Sequence, residues 1–261
     1  MIYPDNFKNL VKRLINEDDT NLNYIGNGNP EAKILIIAKE SAINLNEKTL
    51  QNRKKSEEQY IEGHKRNKER WFGNIKNNVQ LDDDLDRFNP LFPYRWQNNK
   101  RIAKNRKKEP NGGTSATWCA YQKLVDRIYG TPKPDKINFL ERAFISELSD
   151  FVMPMSKYNE MTKESIDIRL DKLFSDPFFR SFPIVILACG HYIRDYKLEK
   201  RITEVFDQNY SGLENNENGW INVHQKDGRI LLHTRHLSMC KNAFIDDVAK
   251  KVNQLVDISN I

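Results

Sequence analysis

Four short apolar runs stand out from an otherwise polar chain: 32–38 (AKILIIA), 143–148 (AFISEL), 183–189 (PIVILAC) and 229–233 (RILLH). Each carries β-branched or aromatic side chains and is bounded by polar or turn residues, the pattern of a buried strand. The runs are nearly continuous instead of alternating, which predicts strands covered on both faces and paired in parallel. Segments with helical spacing lie between them. Thr114, Ser115 and Thr117 offer capping hydroxyls ahead of Trp118, Tyr121, Leu124, Val125 and Ile128, and Gly130 supplies the stop. Residues 162–174 repeat the spacing with Ile166, Ile168, Leu170, Leu173 and Phe174, and residues 244–256 with Phe244, Val248, Val252 and Val256. Strands alternating with helices predict an α/β protein, a three-layer α/β/α sandwich on a central, mostly parallel four-stranded sheet. The ligand site of such a fold lies in the crevice beyond the carboxyl ends of the strands.

The alternation breaks once. Residues 44–113, about seventy positions, carry no clear strand or helix pattern, a length that in a compact domain marks a functional or unstructured loop. With 261 residues the chain can bury a sizeable core, and it is read as one domain, 1–261, carrying this insertion. The insertion holds the aromatic islands Trp71-Phe72 and Phe92-Pro93-Tyr94-Arg95-Trp96. Its cations cluster at Arg53, Lys54 and Lys55, at Lys65 and Arg66, and at Lys100, Arg101 and Lys104 followed by Arg106, Lys107 and Lys108. Aromatics interleaved with cations suit stacking on bases and contact with phosphates, so Lys100, Arg101 and Lys104 are expected DNA contacts. A satellite core for the aromatics and a solvated loop for the cations are the bland alternatives. The excess of 42 Lys and Arg over 36 Asp and Glu, net +6, is modest, so the distribution carries this inference and the sum does not.

No window approaches the roughly 20 apolar residues needed to cross a bilayer, and residues 1–21 lack the apolar stretch of a signal peptide. A soluble, cytoplasmic monomer with no membrane partner is expected. Cys119, Cys189 and Cys240 are odd in number and widely spaced, which predicts neither a disulfide framework nor a zinc knuckle. His233 and His236 lie three apart, yet no third ligand stands at a metal-binding spacing, and neither a metal nor another cofactor is expected. The run Asp82, Asp83, Asp84 with Asp86 reads as a solvated turn, with magnesium chelation in a nuclease as the rival.

Residues 24–42 read YIGNGNPEAKILIIAKESA. The stretch resembles uracil-DNA glycosylases, in which a G-N-P-x-A-K turn leads into the first strand and the strand opens into a loop such as G-Q-D-P-Y, G-E-A-P-G or G-I-N-P-G. Aligned on the strand, Ala38 takes the place of the loop's first glycine, Glu40 that of the Asp or Asn that positions water, and Ser41 that of the proline. After the last run, His233-Thr234-Arg235-His236-Leu237-Ser238 stands where the family has H-P-S-P-L-S, and His233, Leu237 and Ser238 match it. The resemblance covers roughly residues 24–42 and 114–250. It implies a uracil-DNA glycosylase-like fold, a DNA partner and a flipped base, with Glu40 and His233 as the catalytic pair and Leu237 as the wedge that fills the vacated stack. Arg235, His236 and Ser238 become further DNA contacts, and Gly190, in the A-C-G-H-Y turn after the third run, lets the backbone approach a phosphate.

The residue types suit that chemistry. Breaking an N-glycosidic bond leaves positive charge on the sugar and negative charge on the departing base, so a carboxylate near one and a donor near the other stabilise opposite ends of one transition state. A carboxylate can also orient the attacking water, and the base must leave the stack to reach it. The family reads its pyrimidine with an Asn at the end of the second strand, where this chain has only Ser146 or Glu147, beside Ser41 of the first loop. An ionised carboxylate accepts and does not donate, which matches Glu147 to the exocyclic amine of cytosine. Because excising ordinary cytosine would destroy a host genome, the expected substrate is a modified cytosine, hydroxymethylated or glycosylated, in bacteriophage DNA, and the setting antiviral defence. The rivals are a uracil-DNA glycosylase of base-excision repair and a catalytically inactive nucleic-acid-binding module, which the lost loop glycines and proline favour.

Overall fold

A computed structural model describes residues 3–42, 61–87, 115–132, 137–153, 158–193, 195–196 and 199–260. The described strands are β1 (Asn27–Gly28), β2 (Ile34–Ala38), β3 (Ser41–Ala42), β4 (Ala143–Glu147), β5 (Val152–Met153), β6 (Ile184–Leu187), β7 (Asp195–Tyr196), β8 (Glu199–Lys200), β9 (Asn209–Asn216), β10 (Gly219–Lys226) and β11 (Arg229–Thr234). Seven of them make one mixed sheet in the order β1-β4-β2-β6-β11-β10-β9. The four apolar runs supply its middle, β4, β2, β6 and β11, each parallel to its neighbour, with Leu35 opposite both Phe144 and Val185. The flanking strands β1, β10 and β9 run antiparallel to their neighbours, so the sheet is wider and more mixed than four runs predict. The reason is compositional. β9 (NYSGLENN) has little apolar content and is exposed along almost its whole length, so it leaves no hydrophobic trace in the sequence.

Period-two alternation sorts the middle strands onto two cores. Ile34, Ile36, Ile145, Ile186 and Leu232 face the helices Ala116–Ile128 and Asn242–Leu255. Leu35, Ile37, Phe144, Leu187 and Leu231 face the helices Asp5–Leu14, Glu160–Arg169 and Pro177–Arg180 on the other side. Ser115 caps the Ala116–Ile128 helix by accepting from the Trp118 N–H, as its place before the apolar stripe predicts. The Glu160–Arg169 helix starts two residues before the expected position, capped by Asn159, and passes into a π turn at Leu170–Phe174. No helix among the described residues is long and apolar enough to cross a membrane.

The described part of the insertion, 61–87, is mostly helical, at 61–65, Asn67–Lys76 and Leu81–Arg87. Trp71 is fully buried there, its ring edge-on to Phe7 at 5.1 Å, which decides between the two readings of this side chain in favour of a core role and against base stacking. The indole N–H donates to the Gly26 carbonyl at 2.8 Å, and the Asn67 amide accepts from the Ile25 N–H and donates to the same carbonyl, both at 2.9 Å. Gly26 itself is required: its φ is +149°, and a Cβ there would stand 2.3 Å from the Ile145 carbonyl oxygen. The aspartate run lies in a helix and not a turn; Asp82, Asp83 and Asp86 are solvated as expected, while Asp84 departs from that reading, buried against Asn74 Nδ2 at 2.8 Å and Arg70 Nε at 3.3 Å. Phe92 to Trp96, Lys100, Arg101 and Lys104 lie outside the described residues.

Candidate functional site

The loops after the four parallel strands meet at one edge. Ala38 pairs with Glu147, and the ladder continues past the strands through Leu148 N–H to the Ala38 carbonyl and Ser149 N–H to the Lys39 carbonyl. On the other side the Ala188 N–H donates to Ile37 and the Gly190 N–H to Thr234. Backbone pairing alone therefore brings Lys39 and Glu40, Glu147 to Asp150, Cys189 to Tyr192, and His233 to His236 to the same end of the sheet.

Glu40 is buried and its Oε1 accepts from the Tyr192 hydroxyl at 3.1 Å. Lys39 Nζ lies 4.5 Å above the Tyr192 ring, an attraction between a cation and a π face, and the half-exposed Tyr158 packs against Tyr192 with centroids 5.1 Å apart. Glu147 is equally buried, with His64 Nε2 3.4 Å from its Oε2. The His64 ring stacks on Tyr24 at 4.0 Å and its Nδ1 lies 3.6 Å from Asp150 Oδ1. Behind them Arg169, fully buried, donates to the carbonyls of Glu147, Tyr24 and Asn21 at 2.7 to 3.1 Å and sits 3.8 Å from Asp150. Burial raises the Asp150 carboxyl above its ordinary range, and Arg169 and His64 partly oppose the shift.

His236 caps the turn Leu237–Met239. Its Nδ1 accepts from the Ser238 hydroxyl at 2.8 Å and, more loosely, from the Ser238 N–H, so the ring proton resides on Nε2. Burial first, and then the charge of Lys39, push its pKa down to about 4, with Glu147 opposing. The imidazole is neutral at neutral pH and presents an N–H. A folded pKa below the unfolded 6.5 means that protons favour the unfolded chain. The contribution of His236 is therefore complete above about pH 6.5 and is lost as pH falls through about 4. The loss is on the order of 3 kcal/mol. Urea unfolding at about pH 7 and at about pH 4 should show His236→Asn losing less stability between the two than the parent; equal losses would refute the assignment.

Several expected roles change. His233 is buried with both ring nitrogens engaged: Nε2 donates to the Gly190 carbonyl at 2.7 Å and Nδ1 faces the Asn222 amide at 3.4 Å. It braces the Cys189 to Tyr192 turn instead of presenting a donor to a base. Glu40 and His233 thus meet through that turn, one on Tyr192 and the other on Gly190. Gly190 has φ +62°, the reason for a glycine, but its N–H is spent on Thr234 and offers nothing to a phosphate. Leu237 is buried in the core with the Ala116–Ile128 helix and is not an exposed wedge. Ser146 lies one residue out of phase with Glu147, and its hydroxyl donates to the Ile25 carbonyl at 2.8 Å, which removes it as a base reader. Arg235 folds back, its Nε donating to Cys240 Sγ and its guanidinium 5.2 Å from the centre of the Phe244 ring. Ser238 serves His236. Ser41 pairs through its backbone with Val152, and its side chain lies outside the described residues. Cys189 is buried, which raises its thiol pKa to about 12 and makes it inert.

Sequence reasoning missed Lys39, His64, Asp150, Arg169 and Tyr192. Arg169 had a signal, a cation on the apolar stripe of Ile166 and Leu170. Compared with protein-family models, with curated proteins and with solved structures, the chain matches none.

Proposed function

We propose that the chain is a monofunctional DNA glycosylase that hydrolyses the N-glycosidic bond of a flipped, non-standard pyrimidine. Modified cytosine in bacteriophage DNA is the substrate that fits Glu147, and antiviral defence the setting. The observation that carries the reading is the pair of buried carboxylates, Glu40 and Glu147, at the ends of adjacent parallel strands, with Lys39 and the neutral His236 beside them. In this reading Glu40 faces the sugar, where it stabilises the positive charge of the breaking bond and orients water. Glu147 accepts from the exocyclic amine of the base. Lys39 and the Nε2–H of His236 take over the stabilisation of the leaving base that the sequence assigned to His233. The strand order β4-β2-β6-β11, with the two functional loops after β2 and β11, supports a uracil-DNA glycosylase-like frame.

The engaged His233 and the buried Leu237 favour a second reading, a binding module that has lost catalysis. One experiment separates them. Incubated with DNA from phages carrying hydroxymethylated or glycosylated cytosine, with uracil-containing DNA and with unmodified DNA, the enzyme releases a modified cytosine identifiable by mass spectrometry, leaves the strand intact and works in EDTA. Release from none of the three DNAs selects the binding module, and release of uracil alone selects a repair enzyme.

A further inference from the structure

Tyr121 lies in the second turn of the Ala116–Ile128 helix, on the face of the sheet that carries the Glu147 side chain. Its ring is held edge-on by Trp118 and Phe139, with centroids 5.7 and 5.9 Å away. The residue is 1% exposed, yet its hydroxyl has no hydrogen-bond partner among the described residues. A phenylalanine would fill the same volume without the cost of burying an unsatisfied hydroxyl. Burial, and next the nearby Glu147 carboxylate, hold the phenol well above its ordinary pKa, so it stays protonated and can donate. The turn Leu237–Met239, which His236 caps, packs on the same helix. One acceptor and two donors therefore belong to a single corner.

We propose that the Tyr121 hydroxyl and the Nε2–H of His236 are two donors that, with the Glu147 carboxylate as acceptor, read the Watson–Crick edge of a pyrimidine. In its count of donors and acceptors the set matches that edge. Cytosine offers two acceptors, N3 and O2, and one donor, its amine; uracil offers O4, O2 and one N–H. Guanine has the opposite count, and adenine has one of each. The inference deepens the glycosylase reading and rests on it for the delivery of a flipped base.

The test titrates free cytosine, uracil and adenine into the full chain, its Tyr121→Phe variant and its His236→Asn variant, which keeps an oxygen to accept from the Ser238 N–H. The parent should bind both pyrimidines at least tenfold more tightly than adenine. Each variant should lose about tenfold, the worth of one hydrogen bond. Tyr121→Phe should melt no lower than the parent, because the lost hydroxyl has no partner among the described residues. Adenine binding as tightly as the pyrimidines, no binding of any base, both variants binding like the parent, or a lowered Tm for Tyr121→Phe overturns the proposal. A parent that binds pyrimidines and releases none from DNA overturns the glycosylase reading and leaves this one. A Tyr121→Phe variant that binds pyrimidines and releases base as well as the parent overturns this one alone.

Discussion

Under the proposed glycosylase function, Glu40→Gln is expected to slow base release about a thousandfold while DNA affinity stays within a few-fold of the parent. The amide matches the carboxylate in size, and its oxygen still accepts from the Tyr192 hydroxyl, so the 3.1 Å contact that orients the side chain survives. What disappears is the negative charge. In a buried setting that charge is poorly screened, and in the proposed reaction it would act on the sugar only as the bond breaks, so the loss should fall on the chemical step. In DNA-binding proteins affinity comes largely from phosphate contacts, which a buried side chain of this kind does not alter. Single-turnover release of the base, quantified beside electrophoretic binding of the same duplex, reads both quantities. Release within tenfold of the parent would remove Glu40 from the chemistry.

Arg169→Met is expected to destabilise the fold by about 4 kcal/mol. The methionine matches much of the volume, so the loss is electrostatic. Three backbone carbonyls, those of Asn21, Tyr24 and Glu147, lose their donor together, and the largely buried Asp150 loses the guanidinium 3.8 Å away. Urea denaturation measures it, and Asp150→Asn supplies the control. If the Asp150 charge is what Arg169 compensates, the double variant should be less unstable than the sum of the singles. Strict additivity would assign the effect to the carbonyls alone.

The strands were legible because burial on both faces writes an unbroken apolar run, and all four runs became neighbours in the sheet. β9 and β10 were not, since an edge hairpin with solvent on one strand needs no such run. At the site, the positions of Glu40 and Glu147 followed from where strands end. The directions of His233, Leu237 and Ser146 did not, because a neighbouring carbonyl or helix turned each of them inward. His64 reaches Glu147 across 83 residues of sequence, a juxtaposition that no local pattern encodes. The helices of 61–87 escaped for a related reason: Asn67, Lys68, Trp71 and Asn74 are buried among charged neighbours, so their apolar stripe is one indole wide.

The clasp between Trp71, Asn67 and the Gly26 carbonyl changes how the excursion after β3 should be regarded. It behaves as a keystone and not as an ornament: excising it would hollow out the aromatic nest around Phe7 and strip the polypeptide just ahead of β1 of its partners. Loop-shortening engineering should therefore keep 67–84 intact.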